Sequence, residues 1–436
     1  MSATGGHAVV VDIRHADGAH VAALKHGSGV EWWLELGDRL LLAGDKFALD
    51  TIVAATEKLG EMENVTPQQL ALRARGCKEH VDAPGTLLAR GGRWELRRFA
   101  SNPAMTFGEG EDAEWRKVEP NTIFAHQYRL DAPAASPADP LIQPLVDAIN
   151  VQRWFADVQT LAAWDRSSYG TASLTASRDW IAAQFAALGL ASSTPAFNMP
   201  GAGSSGTISR SNVIGRWSGT SKPDEWIIVG GHYDSRNATL SSTVAAPGAD
   251  DNASGCAGVI ELARRLVVFR PQRTVLFMCY AGEEQGLYGS KAHVQALQQS
   301  GDLAKVKSVI IMDMIGYSAD NQIDALFESS ATYSPYLQRF AAAAATYVPS
   351  LNVTLSTNPF GSDHIPYLNA GKETLLAIET DYDIYPYYHK STDLPQNIGP
   401  NVLAMGGAIL KTDIAMLAEL SAASDRIFAS GIENTP

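Results

Sequence analysis

Asp250-Asp251-Asn252-Ala253-Ser254-Gly255 is the stretch on which the reading of this chain turns. Two adjacent acids stand just before a helical pattern, and other potential ligands recur around them. Upstream lies Gly231-His232-Tyr233-Asp234-Ser235. Downstream lie Gly282-Glu283-Glu284, Met312-Asp313-Met314 and Tyr388-His389-Lys390-Ser391-Thr392-Asp393. Imidazole together with carboxylate suits zinc or another divalent transition metal. A carboxylate-rich cluster in which one acid can bridge suits two metals rather than one.

Each of these groups falls where a strand should end. Glu225 to Gly231 is a short apolar run and His232 follows it; Thr274 to Tyr280 is another, followed by Glu283 and Glu284. Val309 to Met312 precedes Asp313, and Leu375 to Ile378 precedes the loop that carries His389. Continuous apolar runs of this length fit strands buried on both faces of a mostly parallel sheet. Between them lie helical patterns, such as Ala257 to Phe269. Strands alternating with helices predict an α/β fold, a mostly parallel mixed sheet flanked by helices. Ligands of open α/β sheets gather at the carboxyl ends of the strands, and all the candidates lie at that edge.

The segments Pro223 to Ser235, Pro247 to Gly255 and Gly282 to Ser290 resemble the secreted di-zinc aminopeptidases of peptidase family M28. The resemblance extends over residues 145 to 425, in four motifs that keep the family's order. It implies the zinc-exopeptidase fold and two Zn2+ per chain. It implies that Asp251 bridges both metals, that Glu284 and His389 complete one site, and that His232 and Asp313 complete the other. Glu283 is implied as general base on the metal-bridging water, and Asp234 as the acid that orients His232. The chemistry agrees. Neighbouring Glu283 and Glu284 point different ways in a loop, so one can ligate while the other faces water. Asp234, two residues beyond His232, suits a carboxylate–His–metal triad.

Each motif also has a plain reading. A lone His at a strand end is usually a polar loop residue, and a Glu-Glu pair is usually solvated. Asp-Asp-Asn often marks only a helix start, where acids offset the macrodipole. Together, five ligand types at strand ends leave the plain readings little room. Asp363-His364 looks like a further ligand pair, but the set is complete without it, and it reads as packing beside the site. His7 and His293 read as surface residues, and Tyr382, Tyr385, Tyr387 and Tyr388 as a rigid loop wall.

At 436 residues the chain suits two domains. A Pro-rich stretch from Asp131 to Pro140 reads as an extended linker. The expected boundaries are residues 1–130 for a small α+β N-terminal domain, a propeptide or accessory domain; 131–144 for the linker; and 145–436 for the peptidase domain. In the first domain Ala8 to Val11 and Val30 to Leu36 read as strands. Thr66-Pro67 opens a short helix closed by Gly76, and Gly91-Gly92-Arg93 suits a hairpin turn. Ser177 to Leu188 reads as a helix ended by Gly189.

The chain has 34 basic and 47 acidic residues, a net charge of −13, and 45% apolar content. This balance speaks against nucleic acid or an anionic membrane as partner. No apolar run reaches the length of a membrane span. Cys77, Cys256 and Cys279 are scattered and form no metal spacing or disulfide framework; Cys256 and Cys279 read as small buried apolar residues. The N-terminus has no signal-peptide pattern. A cytoplasmic protein fits, and so does an exported one whose signal has been removed; the resemblance implies secretion or a periplasmic location.

The expected activity is release of N-terminal residues from peptides with a free N-terminus. A glutaminyl cyclase is the alternative, since cyclases resemble Asp363-His364-Ile365-Pro366, but they bind one zinc. An inactive binding module would have lost ligands or the base, and this chain has lost none. A carboxypeptidase needs Arg or Lys for the substrate carboxylate. From 360 to 393 stand only Lys372 and Lys390 against six acids, Asp363, Glu373, Glu379, Asp381, Asp383 and Asp393, which suits a protonated amine. One departure from the family is Asn358-Pro359-Phe360-Gly361, where close relatives carry a disulfide-braced loop with a Tyr.

Overall fold

In the computed structural model of the chain, residues 6–14, 16, 18–74, 84–91, 94–101, 107, 115–129, 135–202, 206–237, 244–320, 322–359 and 361–422 are described. They fall into two compact units: Met1–Leu130 with Thr354–Gly361, and Asp131–Val353 with Ser362–Pro436.

In the first unit the period-2 alternation of the strands decides the layering. Strand β1 (Gly6–Asp12) pairs antiparallel with β3 (Arg39–Gly44) and β4 (Lys58–Val65), and β3 pairs with β2 (Val30–Gly37). Val9 and Val11 of β1 pack with Leu24 of helix α1 (Gly18–Lys25) and Leu49 of α2 (Lys46–Ile52). Ala8 and Val10 point the other way, onto Leu70 and Leu72 of β5 (Leu70–Ala74). The expected helix after Thr66 is a single turn, Pro67–Gln69, capped reciprocally by Thr66 and Gln69. The chain then extends, because Leu70 and Leu72 bury their side chains on one face; Gly76 lies outside the described residues. Strand β6 (Thr86–Gly91) and β7 (Trp94–Arg98) pair from Gly91 and Trp94 outward, and Gly92 and Arg93 of the expected turn are likewise outside the described residues. Strands β8 (Trp115–Lys117) and β9 (Thr122–Arg129) complete the N-terminal segment. His7, expected at the surface, is 5% exposed, because β4 covers it and brings Glu63 to its Nδ1 at 3.0 Å.

The second unit opens with residues 135–139, which have no regular structure. Ser136 N–H donates to Thr346 Oγ1 and Asp139 N–H to the Tyr347 hydroxyl, so this part of the expected linker is tied down. Helices α3 (Gln143–Asp147), α4 (Val151–Ala162) and α5 (Ala172–Ala187) follow, the last closed by Gly189 at φ 80°. Strand β10 (Ala191–Ser193) is an edge strand, β11 (Ala196–Pro200) and β12 (Thr207–Ser211) form a separate hairpin, and β13 (Val213–Trp217) returns to the main sheet. Its centre is β14 (Lys222–His232). Helix α6 (Gly255–Leu266) leads to β15 (Arg273–Tyr280) and helix α7 (Tyr288–Ser300) to β16 (Val306–Met312). Both strands run parallel to β14 on either side of it. Strand β17 (Asp324–Glu328), helix α8 (Ser334–Tyr347), β18 (Asn352–Ser356), helix α9 (His364–Asn369), β19 (Glu373–Glu379) and helix α10 (Val402–Ser421) complete the order. Strand β19 is parallel to β16, whereas β13 and β17 are antiparallel at the flanks. The last residues of β18, Thr354–Ser356, pair with β9 inside the first unit.

The apolar runs account for this architecture. Ile227, Ile228 and Val229 of β14, Val275 to Cys279 of β15 and Val309 to Met312 of β16 are buried on both faces. Each such Val, Ile or Leu contributes about 1.5–3 kcal/mol by leaving water. Parallel register then aligns the strand ends, with His232 opposite Tyr280 and Met312 opposite Ala377. Among the described residues no helix is long and apolar enough to cross a membrane.

Candidate metal centre

Six side chains meet beyond the carboxyl ends of β14, β15, β16 and β19, the last sending His389 from its following loop. His232 is the last residue of β14, Asp313 follows β16, and Glu283 and Glu284 stand in the loop after β15. Asp251 comes from an irregular turn, Ala249–Ser254, and leaves helical geometry at φ −104°, ψ 93°. The acids are therefore not a helix cap. Asn252 holds the turn: its Nδ2 donates to Met312 O at 3.0 Å, and its Oδ1 accepts from Gly255 N–H at 2.8 Å and Met314 N–H at 3.1 Å. A Cβ on Gly255 would stand 2.4 Å from that Oδ1 and 2.5 Å from Met312 O, so the close approach requires glycine.

The two oxygens of Asp251 face different imidazoles. Oδ1 is 3.4 Å from His232 Nε2, which is also 3.4 Å from Asp313 Oδ1. Oδ2 is 3.0 Å from His389 Nε2, which is 3.1 Å from Glu284 Oε2. Ligands at about 2.0–2.2 Å around a tetrahedral ion stand roughly 3.3–3.6 Å apart; the His232 triad has that spacing, and the His389 triad is a few tenths of an ångström tighter. Both are buried. Glu284 Oε1 is buried without a hydrogen-bond donor, which is costly unless a cation fills the place, while Oε2 has His389 Nε2 at 3.1 Å and Arg236 Nε at 3.6 Å.

The electrostatics separate the two halves. Burial opposes charge on His232, but Glu283 and Asp313 beside it raise its pKa well above the usual value. Burial and then the Arg236 guanidinium push His389 down to about 4. Asp251 is held well below the usual carboxylate range despite burial, because both imidazoles bond to it. Burial, only partly offset by His232, drives Glu283 well above that range. Its Oε2 lies 3.9 Å from His232 Nε2.

Asp234 is placed beside His232, but its backbone carbonyl is nearest, 3.0 Å from Nδ1, while Oδ1 stands at 3.6 Å. Its carboxylate instead accepts from Ser168 Oγ at 2.8 Å and Glu283 N–H at 3.3 Å. Ser168 Oγ accepts in turn from Gly282 N–H at 2.8 Å.

Several of these partners were not anticipated. Ser362 Oγ donates to Asp313 Oδ2 at 2.6 Å, so the serine before Asp363-His364 touches a ligand. Asp393 accepts from Asp250 N–H at 3.0 Å, Asp251 N–H at 3.1 Å and the Tyr385 hydroxyl at 2.7 Å. Arg236 Nε donates to His389 Nδ1 at 3.1 Å. All three stand next to or inside motifs already singled out, and adjacency was the available signal. The fully buried Arg166 donates to the carbonyls of Leu161, Tyr233, Pro247 and Gly248, joining the strand end to the Asp250 turn. No pattern announced Arg166 or Ser168.

Asp250 is kept out of the metal pockets. Its Oδ1 accepts from Gly316 N–H at 3.0 Å, and burial pushes its pKa to about 8 against the lowering effect of a hydrogen bond with Glu379. His293, expected at the surface, is 8% exposed; helix α9 covers it, and its Nδ1 lies 2.6 Å from the Tyr367 hydroxyl. The tyrosine wall is present, with Tyr317 against Tyr385 and Tyr388 stacked on His389 at 3.7 Å between ring centres. The acidic rim loses half its members. Asp363, Glu379 and Asp393 are buried, since the sheet ends enclose them.

The profile of peptidase family M28 matches residues 212–412. A probable zinc metalloprotease of Leptosphaeria maculans is 30% identical over 307 residues, 62% of this chain and 68% of that protein. Further fungal proteins of that description match over 22% to 41% of their own length. Among solved structures, the zinc aminopeptidase of Bacillus subtilis superposes with a TM-score of 0.54 at 16% identity, over 62% of this chain and 95% of that one. A glutaminyl cyclase of an Acidobacteriales bacterium superposes with a TM-score of 0.51 at 24% identity, over 66% and 99%. At these identities the structural likeness concerns the fold.

Proposed function

The chain belongs to peptidase family M28, and from that premise we propose that it is a zinc-dependent aminopeptidase that holds two metals and hydrolyses peptides with a free N-terminus. The observation that carries this reading is the division of Asp251, Oδ1 toward His232 and Oδ2 toward His389. His232, Asp251 and Asp313 would hold one zinc; Asp251, Glu284 and His389 the other. Bound there, the metals would polarise a scissile carbonyl and lower the pKa of water. Glu283 takes the proton of the attacking water and passes it to the leaving amine. Burial raises its affinity for that proton. Asp234 and Ser168 hold the Gly282–Glu283 backbone, and with it the base, at the strand end.

Preference for a free amine is supported by the site's acids and by the engagement of the buried Arg236 with His389 and the Glu284 carbonyl. A guanidinium so employed is poorly placed to take a substrate carboxylate. The test is a panel of aminoacyl-p-nitroanilides with and without added zinc, set against N-acetylated and N-terminal glutaminyl peptides. Zinc-dependent release from free-amine substrates alone is expected. Equal cleavage of acetylated substrates would remove the aminopeptidase reading, and ring closure of glutamine without hydrolysis would install the cyclase.

A further inference from the structure

Two sulfur atoms in the core of the second unit stand closer than non-bonded atoms do. Cys256 Sγ and Cys279 Sγ are 2.8 Å apart. Non-bonded heavy atoms settle at about 3.5–4.0 Å, and a disulfide is roughly 2.05 Å long. Both side chains are fully buried, so no solvent or surface group separates them. Cys256 is the second residue of α6, just beyond the Asp251 turn. Cys279 is the penultimate residue of β15, just before the loop of Glu283 and Glu284.

We propose that Cys256 and Cys279 are joined by a disulfide in the folded protein, tying the helix behind Asp251 to the strand that delivers Glu283 and Glu284. The reading is independent of which peptides the site accepts. Two residues serving only as small apolar filler would stand at van der Waals distance. Here the backbone of α6 and β15 brings the pair inside it, and a bond removes the overlap.

The bond forms while the chain folds. The thiolate is the nucleophile, and burial pushes the Cys279 thiol well above its usual range, so the closed core has little of it. The electron acceptor is a low-molecular-weight disulfide of the glutathione class. One cysteine thiolate attacks it and expels a thiolate; the other cysteine then attacks the mixed disulfide and expels the second. The two cysteines lose two protons and two electrons, and the oxidant becomes two thiols. The new bond closes a span of 23 residues. Constraining the unfolded chain over such a span raises Tm by about 5 °C in a unit of this size.

The full chain is unfolded, refolded in zinc with reduced and oxidised glutathione, then denatured in N-ethylmaleimide. The proposal expects one adduct, on Cys77, and a linked peptide pair containing Cys256 and Cys279 that lacks two hydrogens. Three adducts overturn it, as does a bridge from Cys77 to either partner. Refolding instead in a phosphine reductant, with zinc held constant, should leave the wild-type Tm about 5 °C lower and that of a Cys256→Ala/Cys279→Ala variant unmoved. A wild-type Tm indifferent to reduction overturns the structural tie. Should the double variant fail to fold, the adduct count and the wild-type Tm still decide.

Discussion

The two metal pockets share one carboxylate and differ in what stands behind each imidazole. Behind His232 are acceptors: the Asp234 carbonyl on Nδ1, with the Asp234 carboxylate further out. Behind His389 is a donor, because the Nε–H of Arg236 can only donate. An imidazole that binds metal through Nε2 carries its proton on Nδ1 and gives it to an acceptor. His232 is already set that way. His389 has the opposite partner at Nδ1, and its Nε2 faces Asp251 and Glu284. A metal held through Nε2 would leave the Nδ1 proton facing that guanidinium. One shared ligand thus serves two unequal sites.

The harshest way to break the comparison is to remove what the pockets share. Asp251→Ala should lose both metals and fall to background activity, whereas His389→Ala should lose one. Each metal lost at a concentration of about 100 Kd removes about 2.7 kcal/mol of stabilisation, readable as a lower Tm. Asp250→Ala should keep both. Equal zinc loss from the Asp250 and Asp251 variants would mean the shared carboxylate is misassigned.

Next in size is the base, which belongs to neither triad. Glu283→Gln keeps shape but takes no proton, so kcat should fall by roughly 10²–10⁴ with zinc content unchanged. Near-normal turnover would take Glu283 out of the reaction.

The inequality itself is tested by substitutions of opposite sign. Asp234→Asn should weaken zinc in the His232 pocket by roughly tenfold, the usual consequence of disturbing a ligand's support. Arg236→Met removes a cation and frees Nδ1, so the His389 pocket should bind zinc about tenfold more tightly. Metal titration followed by calorimetry gives both. Two losses, rather than a loss and a gain, would show that Arg236 supports its pocket.

The smallest effect concerns neighbours. Asp251 is held ionised by imidazoles, while burial, with the charge of Asp393 adding to it, raises Asp250 from 3.8 to about 8. A folded pKa above the unfolded one means stability that is complete below about pH 4 and is lost as pH rises through about 8. Asp250→Asn should therefore flatten the fall of Tm between about pH 4 and 8. A fall as steep as the wild type's would place its origin elsewhere.

Much of this centre was legible because strand ends are local. An apolar run followed by His232, Asp313 or Glu283-Glu284 reports both the strand and the residue at its carboxyl end, and parallel register aligns those ends. The short helix after Thr66 failed because capping chemistry can start a turn without saying how far it runs; the burial of Leu70 and Leu72 decided that. His7 and His293 failed because a histidine carries no mark of what will cover it. By itself the sequence determined the α/β order, the ligand types and the edge of the sheet where they collect, since periodicity and polarity act within a few residues. Only the tertiary structure decided that Asp234 meets His232 through its backbone carbonyl, that Ser362 and Arg236 stand behind the ligands, and that Cys256 meets Cys279. The last two are meetings of distant segments, set by how α6, β15 and the loops pack, and side-chain chemistry along the chain does not encode distance across it.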